Sequence, residues 1–443
     1  MLKKIKQLKQ NAGFMRYFHN TSWLMGERIL RMGVGLFVGI WVARYLGPEK
    51  FGLLSYAQSF VFLFTAIATL GLDGIVVREL VKDESKRDVL LGTAFGLKLI
   101  GAIIILPVLF LAVQFTNNDD YTNLLVFIIA SATIFQSFNV IDFYYQSKVL
   151  SKYVALANAV ALALSSAIKI MLLLNEAPLL AFALMTIFDG LVLAIGLVYF
   201  YIKTSGFKLS SWSFNWAMAK GLLNDSWPLI LSSFAISIYV KADQIMIMKM
   251  LGVESVGQYA AAVKISEAWY FIPVVVANSM FPAIVNAKEI SEGFYVKRLQ
   301  FFFDLMVLLS LLIVVPLVFL SEDMVRLLYG NDYAQATSIL MVHACAILFV
   351  FMGVASGRWL LNENLQIYSS INTVIGMISN IVINYFLINK VGLIGAAIAT
   401  VISYAISGYG LLLVHGRTRD VFFMLTKSMF LIGLLQRRYR NGI

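Results

Sequence analysis

Apolar residues in this chain neither alternate nor keep to one helical face. They run in blocks of twenty or more, separated by short polar stretches. A helix needs about 20 mostly apolar residues to cross the hydrocarbon of a bilayer. Twelve segments meet that requirement: 21–43, 52–72, 91–115, 122–146, 153–174, 178–202, 222–248, 256–286, 299–320, 336–357, 366–388 and 391–414. The pattern predicts an all-α polytopic membrane protein of about twelve transmembrane helices. A further apolar stretch, 421–435, is short, is interrupted by Lys427 and precedes Gln436-Arg437-Arg438. It reads as an interfacial helix on the cytoplasmic leaflet, with a thirteenth crossing as the alternative.

Composition agrees with lipid as the solvent. Of 443 residues 60% are hydrophobic and 13% charged, against roughly 45–50% and 25% in soluble domains, and mean hydropathy is +0.82. The net charge of +11 would suggest nucleic acid for a soluble chain. Here its placement gives another reading. With the N-terminus inside, the 35 Lys and Arg divide so that only Arg44, Lys50, Lys249, Arg326 and Lys390 fall in outside loops. Six lie within spans and all the others inside. That asymmetry is the positive-inside rule, and it implies cytoplasmic N- and C-termini, a multi-pass inner-membrane location and no nucleic-acid partner. Residues 1–20 hold five basic side chains and no apolar signal core, so the first span reads as retained. A single cysteine, Cys345, and three scattered histidines, His19, His343 and His415, form no disulfide framework or metal motif. No metal and no cofactor are expected.

The chain repeats itself. Ser22-Trp23 opens the first span and Ser226-Trp227 the seventh. Leu46-Gly47-Pro48-Glu49-Lys50-Phe51-Gly52 joins spans one and two, and Leu251-Gly252-Val253-Glu254-Ser255-Val256-Gly257 joins spans seven and eight. The pattern L-G-x-E-x-x-G at matched positions predicts two six-helix lobes, 1–202 and 222–414, joined by a cytoplasmic linker over 203–221 and followed by a basic tail over 415–443. Six spans is an even number, so the lobes would be related by a pseudo-two-fold along the membrane normal, with the substrate site near the midplane.

Ionisable residues inside spans are costly, about 2.5–3.5 kcal/mol each at a helix centre, and tend to mark function. Twelve occur here. Lys98, Asp142, Asp243 and Asp304 lie near span ends and are expected to reach the headgroups. Glu27 and Arg31, four apart, and Lys264 and Glu267, three apart, can pair on their own helices. Arg28, Lys169, Asp189 and Lys241 have no local opposite charge. Arg28, Arg31, Lys241 and Lys264 are candidates for binding an anionic headgroup, because guanidinium and ammonium groups suit a pyrophosphate. Glu27, Asp189 and Glu267 are candidates for coupling to a proton or another cation; pairing with basic residues is the alternative. Pro273, within the eighth span, is a candidate gating point. No Ser-His-Asp, paired-carboxylate or phosphate-loop motif suggests a catalytic residue.

Several motifs resemble one family. Leu46–Phe60 (LGPEKFGLLSYAQSF) is similar to the first-loop motif of bacterial polysaccharide transporters, and Asp243–Gly252 (DQIMIMKMLG) to the opening of their second half. Tyr259–Pro273 (YAAAVKISEAWYFIP) with Phe281-Pro282-Ala283 resembles their eighth helix, and Gly392–Tyr404 (GLIGAAIATVISY) their twelfth. The chain thus resembles O-antigen and polysaccharide flippases of the multidrug/oligosaccharidyl-lipid/polysaccharide exporter superfamily. The resemblance implies alternating access that moves an undecaprenyl-pyrophosphate-linked oligosaccharide from the cytoplasmic to the outer leaflet, with H+ or Na+ antiport. It implies as partners that lipid-linked oligosaccharide, membrane lipids, and polymerase and chain-length proteins of the same pathway. It carries over no site residue, so the cations named above rest on location alone. The competing functions are a cation-coupled multidrug antiporter of the same superfamily and, from another class, a membrane glycan polymerase or ligase.

Overall fold

The structure is a computed structural model that describes residues 12–430. Among the described residues there are helices and no strand. The helices are α1 (Ala12–Thr69), α2 (Asp73–Lys82), α3 (Arg87–Val113), α4 (Asp120–Ser131), α5 (Val140–Ser147), α6 (Lys152–Leu174), α7 (Leu179–Ser205), α8 (Trp216–Leu251) and α9 (Val253–Glu267). They continue as α10 (Phe271–Ile290), α11 (Glu292–Phe319), α12 (Ser321–Leu328), α13 (Ala334–Ala344), α14 (Ala346–Asn362), α15 (Gln366–Val391), α16 (Leu393–Gly408) and α17 (Arg419–Met429). Eleven helical stretches among the described residues are long and apolar enough to cross a membrane. The first of them, Ser22–Lys82, is 61 residues long, about 90 Å of helix. It is broken at Gly47 (φ 71°, ψ 170°), so it supplies two crossings and brings the number to twelve among the described residues.

That break recurs one repeat later. Gly252 has φ 89° and ψ 177°, a region essentially closed to residues with a Cβ. The two glycines of the L-G-x-E-x-x-G copies thus turn the backbone alike. Pro48 reinforces the first turn, since it donates no N–H and excludes α geometry from the residue before it.

The chain divides into two compact units, Met1–Leu46 with Ala57–Ser237, and Gly47–Tyr56 with Ile238–Ile443. In the first unit, Leu72, Val76, Leu91, Ala94, Val140 and Ile141 form a core closed by aromatic edges such as Tyr144 on Tyr201, 5.3 Å between ring centroids. Residues 212–215 pack onto α3 of this unit. Gly92 leaves room for the Ser213 backbone, the Trp212 ring lies against Phe95, and the Asn215 amide donates to Thr93 Oγ1 at 3.1 Å.

In the second unit, α15 is apolar outside and polar inside. Its buried face carries Asn372, Gly376, Asn380, Asn384 and Ile388, while Ile371, Val374, Ile378, Val382 and Phe386 are exposed. Lipid explains the inversion, because an apolar surface needs no burial there and polar or small residues make the interhelical contacts. The connection after α14 is tied down by Glu363, which accepts from Lys288 Nζ at 2.7 Å and Tyr295 Oη at 2.8 Å. Burial alone would raise the Glu363 carboxyl, but these bonds hold it below the ordinary range.

Helix α17 contains 11 residues, too few to cross a bilayer. Val421 and Leu425 are buried, and Gln300 of α11 donates to the Met424 carbonyl at 3.1 Å. The rest of the 421–435 prediction lies outside the described residues.

Candidate functional site

Three of the charges expected to reach the headgroups do not. Lys98 and Asp304 are each 2% exposed, and Asp243 is 5% exposed. Lys98 reaches Asp73 at 3.4 Å and lies 4.8 Å from the Phe143 ring centroid. Asp304 accepts from Gln300 at 2.8 Å and from Ser428 of α17 at 2.7 Å. Snorkelling assumes a free path along the helix to water. Packing by neighbouring helices removes that path, and hydropathy along one chain does not register it.

In the first unit, Glu27 is buried and Arg31 Nε lies 3.1 Å from its Oε1, the pairing that four-residue spacing allows. The contact is electrostatic, as that oxygen accepts no hydrogen bond. Half of the Arg31 side chain remains exposed, and Arg28, which also acts on Glu27, is exposed. Glu27 lines a cleft of about 300 Å³ with Trp23, Leu30 and Ala155. Asp189 and Lys169, each unpartnered on its own helix, pair across α6 and α7 at 2.8 Å, and Ser165 also donates to Asp189.

That pairing yields a prediction. Removing Lys169 alone strands a partly buried carboxylate, whereas Lys169→Met with Asp189→Leu removes both charges. The double variant should melt within a degree or two of the parent, and the single variants lower, with a coupling of about 0.5–1 kcal/mol. Thermal unfolding in detergent measures this. Loss of transport by a well-folded double variant would instead make Asp189 a coupling residue.

The second unit gathers its polar groups around Asp243 of α8. Its Oδ2 accepts from Tyr259 Oη of α9 at 2.6 Å and Thr400 Oγ1 of α16 at 2.8 Å. Asn384 Nδ2 of α15 donates to Oδ1 at 3.3 Å. Asn380 stands beside the carboxylate without completing a hydrogen bond. Four helices thus converge on one carboxylate. Interhelical hydrogen bonds in membranes contribute about 0.6 kcal/mol each, so three give roughly 2 kcal/mol, short of the 2.5–3.5 kcal/mol a charge costs there. Stability alone does not account for the cluster.

Its unpartnered atoms point to a ligand. Both polar atoms of Asn380 and the Oδ1 of Asn384 are buried without a protein partner. The two ends of an amide have nearly the same shape, so either can turn its oxygen inward. One carboxylate, two amide oxygens and two hydroxyls suit a hard cation of low charge. Among the described residues no three His, Cys, Asp or Glu side chains converge as for a multivalent metal.

The remaining candidates lie in this unit too. Lys241 acts electrostatically on Glu267 and on His343, whose Nδ1 is 2.7 Å from Ser266 Oγ. Lys264 Nζ is 5.8 Å from the Phe51 ring centroid. Pro273 is the third residue of α10, beyond a break at 268–270. In a first turn its missing N–H costs nothing, so it starts a helix and does not kink one. The sequence reading missed Asn380, Asn384 and Thr400 because they carry no charge. Their signal was the spacing of Asn372, Asn380 and Asn384 on one face of an apolar span.

Comparison with known proteins places this architecture. Solved membrane proteins share the fold, two of them with a TM-score of 0.69. An inward-facing multidrug resistance MATE family transporter of the MOP superfamily superposes with a TM-score of 0.69 at 15% identity, over 90% of this chain and 95% of its own. The lipid II flippase MurJ in an inward closed conformation gives 0.69 at 17%, over 94% and 93%. The probable low-salt glycan biosynthesis flippase Agl15 of Haloferax volcanii is 26% identical over 193 residues, 43% of this chain and 40% of that protein. The putative O-antigen transporter of Shigella flexneri is 23% identical over 206 residues, 46% of this chain and 48% of that protein. The chain therefore spans less than half the length of either relative. A family model described as polysaccharide biosynthesis protein matches residues 18–288, more than half of the 443. This multi-pass membrane protein belongs to the polysaccharide biosynthesis protein family.

Proposed function

We propose that the chain is a sodium-coupled flippase of a bacterial inner membrane. Its substrate is an undecaprenyl-pyrophosphate-linked oligosaccharide, the repeat unit of an O-antigen or another surface polysaccharide. The exposed guanidinium of Arg31 within an apolar span is the observation that carries this reading. Glu27 balances only one of Arg28 and Arg31, and a pyrophosphate would offset the positive charge that is left in the span. Arg28 and Arg31 offer charge on the first unit, and Lys241 and Lys264 on the second. Glycan flippases and transporters among the relatives support the substrate class. The Asp243 cluster supports sodium, since one carboxylate ringed by two hydroxyls and two amide side chains offers more oxygen ligands than a single proton can use. Glu27 and Glu267 then balance the basic groups beside them. The N-terminus-inside orientation puts the charged linker on the side where such lipids are made.

Purified protein in liposomes should move a fluorescent polyprenyl-pyrophosphate sugar between leaflets, unchanged, when a sodium gradient is imposed. Arg31→Ala and Lys241→Ala should each reduce the rate by at least about tenfold, about 1.4 kcal/mol of barrier. Normal rates in both would remove these residues from the headgroup site. A chemically altered product would favour the polymerase or ligase reading, and transport of a cationic drug would favour the multidrug antiporter.

A further inference from the structure

The second unit holds another cavity, of about 250 Å³, whose lining contains no charged side chain. Tyr239, Ser356, Asn372, Thr373, Tyr404 and Ser407 supply its polar wall. Three of the helices that build the Asp243 cluster also build this cavity, in matching register. Tyr239 is one turn before Asp243 on α8, Tyr404 one turn beyond Thr400 on α16, and Asn372 eight residues before Asn380 on α15. Eight residues of helix span about 12 Å.

The interval between cavity and carboxylate is narrow but polar. Tyr239 Oη and Ser407 Oγ are 2.8 Å apart, and the Tyr239 and Tyr404 rings meet edge to face at 5.0 Å. Gly376 faces this contact, where a Cβ would lie 2.7 Å from Ser407 Cβ and 3.2 Å from Tyr239 Cζ. Asn372 Oδ1, both polar atoms of Asn380 and Asn384 Oδ1 are buried without protein partners. Buried amides in that condition require water or an ion, and these follow one face of α15 from the cavity to Asp243.

Resting on the sodium-coupled reading above, we propose that this cavity is the access path for a partly hydrated sodium ion to the Asp243 site, with the Tyr239–Ser407 contact beside Gly376 as its constriction. Neutral oxygens replace part of the ion's hydration without trapping it, so binding is left to the single carboxylate at the inner end. Leu360 and Ser369 place the outer end beside the connection between α14 and α15. In the N-terminus-inside orientation that end faces the cytoplasm, so the path releases the ion inward as the lipid-linked sugar moves outward.

The test measures ²²Na⁺ equilibrium binding and exchange rate on the purified full-length protein. Gly376→Ala narrows the constriction, and Asn372→Leu replaces an amide with an apolar plug. Either variant should slow exchange by at least about tenfold and keep the equilibrium Kd within about threefold of the parent. Asp243→Asn, the control, should abolish binding. If Gly376→Ala does not fold, Asn372→Leu carries the comparison. Parent-like exchange in the folded variants, with sodium bound normally, would overturn the access path and leave the coupling reading intact. A parent protein that binds no sodium would overturn the coupling reading and the path with it.

Discussion

If transport is sodium-coupled as proposed, Asp243→Asn should reduce it by at least about a hundredfold and leave the fold as stable as the parent or more so. Asparagine is nearly isosteric with aspartate. Its Oδ1 can still accept from Tyr259 or Thr400, the two hydroxyls that Oδ2 now holds at 2.6 and 2.8 Å. The variant loses the negative charge, and with it both the main attraction for a cation and the cost of a charge in an apolar bundle. Truncating one partner of a buried polar pair usually destabilises, because the other is left unsatisfied. Here two partners are hydroxyls that also reach backbone or each other, Thr400 donating to the Ala396 carbonyl at 3.0 Å and Tyr259 lying 3.2 Å from Thr400, and the third, Asn384, which donates to Oδ1 at 3.3 Å, can turn its amide to accept from the new Nδ2. Melting temperature in detergent, read beside flipping rate under a sodium gradient, separates the two effects. A folded Asp243→Asn protein that still responds to sodium would remove the coupling role from this cluster. Thr400→Val should give a smaller loss of sodium affinity, about tenfold or less, because it takes away one neutral ligand and keeps the charge.

The sequence disclosed what depends on runs and local spacing. The spans, the Glu27–Arg31 pair and the repeated L-G-x-E-x-x-G motif are all properties of one segment at a time. The packing of helices distant in sequence was not legible. Asp189 and Lys169 looked unpartnered because their partners sit across a helix hairpin. Lys98, Asp243 and Asp304 were expected at the headgroups because distance along the span was the only measure of depth available. Asn380, Asn384 and Thr400 were passed over because amides and hydroxyls do not enter a count of charges, yet their burial on one face of an otherwise lipid-exposed helix distinguishes α15. Pro273 looked like a kink in one long eighth span, where the chain forms two shorter helices and the proline opens the second.

The glycines of the repeat carry the largest expected effect on stability. Each copy of L-G-x-E-x-x-G ends in a glycine, Gly52 or Gly257, and the second unit brings the copies together. A Cβ at Gly52 would collide with the Val253 carbonyl oxygen and lie 2.9 Å from Gly257 N; one at Gly257 would collide with the Pro48 carbonyl oxygen and lie 2.7 Å from its carbon. The contact is therefore reciprocal: each copy's last glycine admits the backbone at the other copy's third position. The obstacles are main-chain atoms, which cannot turn aside as a side chain would, and both belong to residues next to the glycines that break the helices, Gly47 and Gly252. Relief would require the crossing segments to separate, and Phe51, 6% exposed and packed edge-on to Tyr333 at 6.4 Å, would move with them. Overpacking of this kind costs about 3 kcal/mol, so Gly257→Ala should lower the melting temperature by several degrees and Gly257→Leu should prevent stable accumulation in the membrane. Gly293→Ala is the control, since nothing lies within 4 Å of a Cβ there, and it should melt with the parent. Parent-like melting of both Gly52→Ala and Gly257→Ala would mean that the two backbones do not cross at this distance, and the motif's final glycines would then need another explanation.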